Sequence, residues 1–128
     1  MGSSNSETEF QMLKALWSLK HSTVAQLRER YNQLNGTSLA YTTVMTMLSR
    51  LAEKGAVKVD REREPFVYTA ASKRQTVLRS RVKAFVKSVF DGQADELVLH
   101  LVESEALSAE DVRRIKASVA RKKRESRP

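Results

Sequence analysis

Short hydroxyl side chains and one arginine recur at helical spacing between residues 41 and 54. On a helical wheel, one side carries the apolar residues Val44, Met47, Leu48 and Leu51. The opposite side carries Thr42, Thr43, Thr46, Ser49, Arg50 and Glu53. Hydroxyl residues are weak helix formers, but short side chains let a helix approach the base edges and phosphates of a DNA groove. The pattern favours a DNA-reading helix, and a solvated face of mixed polarity is the alternative.

Three further side chains are candidates for contact with a nucleic acid. Arg61 and Arg63 lie in a charged loop and suit phosphate or minor-groove contact, although Glu62 and Glu64 leave solvated charge pairs as an alternative. Tyr41 stands at the start of the hydroxyl-rich helix, where it could stack against a sugar or cap the helix. The N–H groups of the first helical turn would point at a phosphate.

Other chemistries find no support in the residue types. The chain has no cysteine, which excludes disulfides, thiolate zinc sites, iron–sulfur ligation and cysteine nucleophiles. His21 and His100 stand far apart in the chain, and we expect a helix-terminus residue and a packed interface residue rather than metal ligands. No H-E-x-x-H, G-x-S-x-G or P-loop pattern occurs. We therefore expect neither an enzyme nor a bound cofactor or metal.

Charge is distributed in blocks along the 128 residues, whose formal net charge is +8. Residues 73–87 hold six basic and no acidic residues, residues 88–112 seven acidic and no basic, and residues 113–128 eight basic against one acidic. A polyanion partner and mutual neutralisation within or between subunits both fit these blocks. No apolar run approaches the roughly 20 residues that span a bilayer, and the first residues lack a secretory signal. We expect a cytoplasmic protein without membrane insertion.

The elements that must position the hydroxyl-rich helix begin with two shorter helices. Ser6-Glu7-Thr8-Glu9 matches a capping box, and apolar residues follow at helical spacing to about Leu19, with Trp17 expected in the core. Ser22 is the expected N-cap of a second helix, which ends at Asn35-Gly36. Its apolar stripe comprises Val24, Leu27, Tyr31 and Leu34.

A β-hairpin is expected to follow the third helix, which runs from about Tyr41 to Lys54. Gly55 supplies a left-handed stop, and the hydrophobic period then changes from that of a helix to that of a strand. Two short strands, around Val57 to Val59 and Phe66 to Thr69, flank a polar loop. Three short helices and a hairpin predict a winged helix-turn-helix.

The remaining residues predict three more helices, over roughly 73–90, around 96–102 and from Ser108 onward, the last with Asp111 at its N3 position. Together they carry more apolar surface than one short bundle can bury, and leaving it exposed would forgo several kcal/mol at about 25 cal/mol per Å². Two-fold pairing with a second copy is the commonest solution. The expected dimer interface comprises Leu78, Val82, Phe85, Val86, Val89, Leu97, Leu101 and Ile115.

The predicted fold class is therefore mainly α with a small β-hairpin. A winged-helix DNA-binding domain over residues 6–72 precedes a helical dimerisation domain over residues 73–120. We expect a disordered leader over residues 1–5 and a basic tail over residues 121–128 that frays into solvent. A winged helix that serves as a protein-interaction or scaffold module, without specific DNA reading, is the alternative function.

The chain resembles the BlaI/MecI-type penicillinase repressor family over about residues 6–120. The resemblance is carried by Phe10 to Trp17, Leu39 to Leu51, Lys54-Gly55, Phe66-Val67-Tyr68, Phe85 to Gly92, Leu97 to Glu103 and Leu107-Ser108. It implies a homodimer that binds a double-stranded dyad operator and represses resistance or stress genes. Carried across, the segment from Tyr41 to Lys54 is the recognition helix, with DNA-contact candidates Thr42, Thr43, Thr46 and Arg50.

Two departures from the family pattern concern the inducing signal. In penicillinase repressors of this type, a membrane sensor leads to cleavage at an Asn-Phe bond, and a sensor or protease is thus a further candidate partner. The candidate cleavage position here is His100-Leu101, so that route is in question. The copper-responsive branch of the family carries C-terminal cysteines, and their absence excludes copper sensing by that site.

Overall fold

Six helices and three short strands follow one another in the computed structural model, which describes the backbone of residues 3–126 and the side chains of residues 7–126. In chain order they are α1 (Ser3–Leu19), β1 (His21–Ser22), α2 (Val24–Asn35), α3 (Tyr41–Glu53), β2 (Val57–Asp60), β3 (Val67–Ala70), α4 (Arg74–Phe90), α5 (Ala94–Glu103) and α6 (Ala109–Glu125). The order α-β-α-α-β-β followed by three helices confirms the predicted fold class. The chain divides into two compact units, Met1–Leu78 and Arg79–Pro128.

The core of the first unit lies where α1, α2 and α3 meet the sheet. Leu16, Leu27 and Leu48 are fully buried, one from each helix, which confirms the apolar stripes read from the periodicity. The whole core comprises Met12, Leu13, Ala15, Leu16, Val24, Leu27, Tyr31, Val44, Met47, Leu48, Leu51, Val57 and Tyr68. Burial raises the pKa of the Tyr31 phenol. This core fixes which side of α3 is left to face outward.

The sheet has three strands rather than the two of the expected hairpin. Its order is β1-β3-β2 and both pairings are antiparallel, so Tyr68 lies opposite Ser22 on one side and Val59 on the other. Ser22 is therefore a buried strand residue and not the N-cap of α2. Thr23 takes that role, because its side chain accepts from the Gln26 N–H in a capping box. His21, expected at a helix terminus, lies in β1 opposite Thr69.

Several helix boundaries differ from those read from the sequence. α1 begins at Ser3, so Ser6, the expected N-cap, lies inside the helix, as do residues 3–5 of the expected leader. Leu34 belongs to α2 but is exposed, because the helix ends one residue later and the core does not reach it. Gly36 and Gly55 both have positive φ, of 62° and 79°, which confirms the glycine stops. Residues 1 and 2 of the leader lie outside the described residues.

Trp17 lies at the edge of the core rather than inside it. Its ring packs edge-on against Phe10, with ring centroids 6.2 Å apart, and remains half-buried. The indole N–H donates to the carbonyl oxygen of Ser72 at 3.0 Å. A partner on the polar tip is what a half-buried tryptophan requires. The contact joins α1 to the segment that follows β3.

The second unit contains helices with large exposed apolar side chains. Of the expected interface residues, Val82, Phe85, Val89 and Ile115 are exposed, whereas Leu78, Val86, Leu97 and Leu101 are half-buried. No residue of α4, α5 or α6, all within the described part of the chain, is fully buried. Ser108 caps α6 through the expected capping box with Asp111. Residues 121–125 of the expected tail continue α6, while residues 127 and 128 lie outside the described residues.

Candidate nucleic-acid interface

The outward side of α3 carries the side chains singled out by their spacing. Thr42, Thr43, Thr46, Ser49, Arg50 and Glu53 are all exposed, and the opposite positions of the helix are buried in the core. The helical wheel therefore assigned every polar residue of this helix to the correct side. We call this set of six residues the hydroxyl face.

Two hydroxyl groups of this face are already oriented by the helix itself. Thr46 Oγ1 donates to the carbonyl oxygen of Thr42 at 2.9 Å, and Ser49 Oγ donates to that of Met45 at 3.1 Å. A hydroxyl that donates to the helix backbone keeps its lone pairs as acceptors. The face thus presents acceptors together with threonine methyl groups. These groups match the exocyclic amines and thymine methyls of a major groove.

The N-terminus of α3 differs from those of α2 and α6. Its N-cap residue is Ala40, which has no side chain able to accept a hydrogen bond, whereas Thr23 and Ser108 form capping boxes. Tyr41 is the first residue of the helix and is exposed, so it does not cap the helix. The amide groups of the first turn therefore have no side-chain acceptor, and a phosphate oxygen could fill that role.

A hydrogen-bonded turn between α2 and α3 sets the direction of α3. Asn32 Oδ1 accepts from the Leu39 N–H at 2.9 Å and from Thr37 Oγ1 at 2.8 Å. Arg28 Nε donates to the Leu39 carbonyl oxygen at 2.8 Å. These contacts fix the turn to the side of α2. Sequence spacing does not reveal them, because the partners are seven and eleven residues apart across a loop.

Arg50 lies at the edge of the hydroxyl face that borders α1. It lines a hollow of about 310 Å³ together with Thr8, Glu9, Thr43 and Thr46. Glu9 is nearly buried, and both its carboxylate oxygens accept from Lys54 Nζ, at 2.7 and 2.9 Å. Glu9 is thus paired with Lys54 rather than with Arg50, so the guanidinium of Arg50 can hydrogen-bond to an external anion.

The loop between β2 and β3 carries the other two arginine candidates. Arg61 and Arg63 are both exposed. Arg63 Nε lies 3.5 Å from Asp60 Oδ2, so the expected local charge pairing involves Asp60 rather than Glu62 or Glu64. The Glu62 N–H also donates to Asp60 Oδ1, at 3.0 Å. An exposed pair of this kind contributes little stability and leaves Arg63 free to exchange partners.

The two histidines lie in different elements, His21 in β1 and His100 in α5. His100 is exposed in the last turn of α5, where its ring centroid lies 5.5 Å from that of Phe90. Within residues 3–126, no group of three His, Cys, Asp or Glu side chains is arranged to hold a metal ion.

The candidate cleavage position, His100-Leu101, lies inside α5. No helix of the described chain is both long and apolar enough to cross a membrane.

Comparison with known proteins identifies the family of the chain. The family model of the penicillinase repressor matches residues 5–121. The chain is 31% identical to the penicillinase repressor of Bacillus licheniformis over 108 residues. This aligned region covers 84% of this chain and 82% of that protein. It is 23% identical over 111 residues to the methicillin resistance regulatory protein MecI of Mammaliicoccus sciuri and of Staphylococcus aureus strain N315, covering 87% of this chain and 89% of each relative. Members of the matched family are transcriptional regulators and not enzymes. This chain belongs to the penicillinase repressor family.

Proposed function

We propose that this protein is a cytoplasmic, homodimeric transcriptional repressor that occupies a palindromic operator and reads it with the hydroxyl face of α3. The observation that carries the proposal is the placement of that face: six polar side chains stand exposed on a helix whose other side is buried. A rigid helix with short polar side chains fits the width and the donor and acceptor pattern of a major groove.

The expected contacts divide into two kinds. Thr42, Thr43, Thr46 and Arg50 would contact base edges or the adjacent phosphates from α3. Arg61 and Arg63 would contact phosphate or the minor groove from the loop between β2 and β3, and the uncapped first turn of α3 would receive a phosphate. The names of the relatives, a penicillinase repressor and a methicillin resistance regulatory protein, support a regulatory role for this chain as well.

A second copy of the chain would supply the second reading helix. Exposed apolar side chains on α4 and α6 support pairing through the second unit. A two-fold dimer predicts an operator of two half-sites one helical turn, or a multiple of it, apart. Two tethered reading helices bind far more tightly than one, because the second binding event is intramolecular.

The decisive experiment selects DNA from a random duplex library and then measures the affinity of the selected sequence and of a scrambled one at two salt concentrations. A specific repressor should prefer its palindrome by about a thousandfold or more and lose affinity steeply as salt rises. Failure to enrich any sequence, with equal binding of all duplexes, would contradict the proposal. That result would favour the alternative, a winged helix that acts as a protein-interaction or scaffold module.

A further inference from the structure

Three large apolar side chains are exposed beside the hydroxyl face. Tyr41 and Met45 lie one turn apart on α3, and Phe66 lies just before β3; their exposed fractions are 46%, 43% and 38%. All three line one hollow of about 210 Å³, together with Pro65 and the buried Tyr68. We call Tyr41, Met45 and Phe66 the apolar patch.

The packing of the first unit leaves the apolar patch uncovered. Val44 and Leu48, which neighbour Met45 along α3, are fully buried, so α3 packs against the core without using Met45. A single exposed apolar residue needs no explanation, but three that converge on one concave site indicate a contact surface. The patch therefore has room for an apolar group from outside the chain.

The position of the patch identifies the kind of partner. Tyr41 and Met45 flank Thr42 and Thr46, so the patch is continuous with the hydroxyl face. A helix inserted in a major groove brings its flanks as well as its centre close to the base edges. The apolar group that a major groove presents is the 5-methyl group of thymine.

The charge around the hollow favours an uncharged occupant over a phosphate. Glu64 is exposed and lines the hollow. A carboxylate repels a phosphate but does not oppose an uncharged base edge. The remaining lining is apolar or hydroxylic, from Thr23, Val24 and Ala25 at the start of α2.

We propose that the hollow bordered by Tyr41, Met45 and Phe66 receives the 5-methyl group of a thymine, so that each half-site contains one thymine recognised by its methyl group. Met45 makes the principal contact, because its unbranched thioether side chain can fold onto a small apolar group. The inference rests on the proposed function and deepens it, since it assigns a base identity to one position of the operator.

The test uses the full-length protein and the operator obtained by selection. Each thymine is replaced in turn by deoxyuridine, which removes only the 5-methyl group, and the dissociation constant is measured at fixed salt. One thymine per half-site should weaken binding about fourfold when its methyl group is removed, the value of one buried carbon. In Met45→Ala, binding should be weaker overall and the same replacement should have no further effect.

A matched control and a second variant keep the test decisive. Leu34 is an exposed apolar residue of α2 outside the hollow, so Leu34→Ala should keep the full uridine sensitivity. Phe66→Ala should reduce that sensitivity, and it replaces Met45→Ala if the latter does not fold.

If no sequence is selected at all, the proposed function fails. If a palindrome is selected but no uridine weakens binding, or Met45→Ala keeps the sensitivity, only the thymine inference is overturned.

Discussion

Arg50 is the single cation on the hydroxyl face, and its charge is not used inside the described part of the protein. Arg50→Ala should therefore weaken binding to the selected operator by about 1–3 kcal/mol, the range for one arginine contact to a base or phosphate. The variant should remain a folded dimer, because the side chain is exposed. Operator affinity by fluorescence anisotropy, together with the circular dichroism spectrum, checks both expectations.

The control for Arg50 removes the same charge from another place. Lys87 is exposed in the last turn of α4, so Lys87→Ala lowers the net charge equally without touching α3. A loss of affinity in Arg50→Ala that Lys87→Ala does not show would identify a local contact. Equal losses in the two variants would remove Arg50 from the reading site, since they would reflect total charge alone.

Asp111 has the clearest titration behaviour in the C-terminal helices. The Ser108 N–H and hydroxyl hydrogen-bond its carboxylate, and Arg114 pairs with it, so its pKa is lowered from the ordinary 3.8. Ionised Asp111 therefore stabilises the start of α6 fully above pH 3.8, and the contribution is lost as pH falls further, through the lowered pKa.

Carboxyl chemical shifts followed by NMR during an acid titration measure this pKa directly. Ser108→Ala removes the hydroxyl but keeps the backbone N–H, so the Asp111 pKa should rise part of the way to its ordinary value. Thr23→Ala removes the capping hydroxyl of α2 instead, so it is the matched control and should leave the Asp111 pKa unchanged. An unaltered Asp111 pKa in Ser108→Ala would show that the Ser108 hydroxyl does not help to lower it.

Periodicity predicted which side of α3 is exposed, but it did not identify the apolar patch. The wheel separates Val44 from Thr42 because buried and exposed sides of a helix differ by position alone. On that wheel, Met45 belongs neither to the apolar side nor to the hydroxyl face. Its significance depends on Phe66, which reaches the same hollow from the sequence before β3. Phe66 comes close to Met45 only because the chain folds back on itself, and the spacing of residues along the sequence does not show this.

At the scale of elements, the ion pair between Glu9 and Lys54 joins α1 to the end of α3. The Glu9 side chain is 11% exposed and that of Lys54 51%, so the pair is shielded on one side and open to water on the other. Its coupling should therefore lie near 1 kcal/mol, at the upper end for exposed pairs and well below that of a fully buried pair.

A double-mutant cycle of Glu9→Gln, Lys54→Met and the double variant, followed by urea unfolding, measures that coupling. Lys54→Met should be the more damaging single change, because it leaves a nearly buried carboxylate without its partner. The double variant should recover most of the loss. Strictly additive free energies of unfolding would show that the pair does not couple the two helices.

Helices were predicted more securely than strands, for a physical reason. A helix such as α6 is predicted by local signals. Its start at Ser108, with Asp111 at N3, is confirmed, because all the partners of the capping box lie within four residues. β1 has only two residues and exists because β3 passes beside it. A pairing across more than forty positions leaves no periodic trace, so Ser22 was mistaken for a cap that Thr23 provides.

At the scale of the whole molecule, the two units differ in how completely they bury their apolar side chains. The first unit has a closed core, whereas the helices that carry the second unit leave Val82, Phe85, Val89 and Ile115 exposed. Basic residues at the end of α6 are also left without ion pairs to the described side chains. Arg114 pairs with Asp111 one turn earlier, but the basic residues 121–124 make no ion pair with any described residue. Apolar surface and unpaired charge together favour an obligate partner over an isolated chain.

Leu97 and Leu101 lie one turn apart on α5 and are only half-buried, so a second copy of the chain would complete their burial. Placing a charge there should split the dimer, because a carboxylate in an apolar interface costs several kcal/mol unless it is paired. We expect Leu97→Asp and Leu101→Asp to sediment as single chains and to bind the operator much more weakly, while the first unit keeps its fold. Leu34→Asp introduces the same charge at an exposed leucine of α2 and should remain a dimer. A Leu97→Asp protein that sediments as two chains would place the interface elsewhere on the second unit.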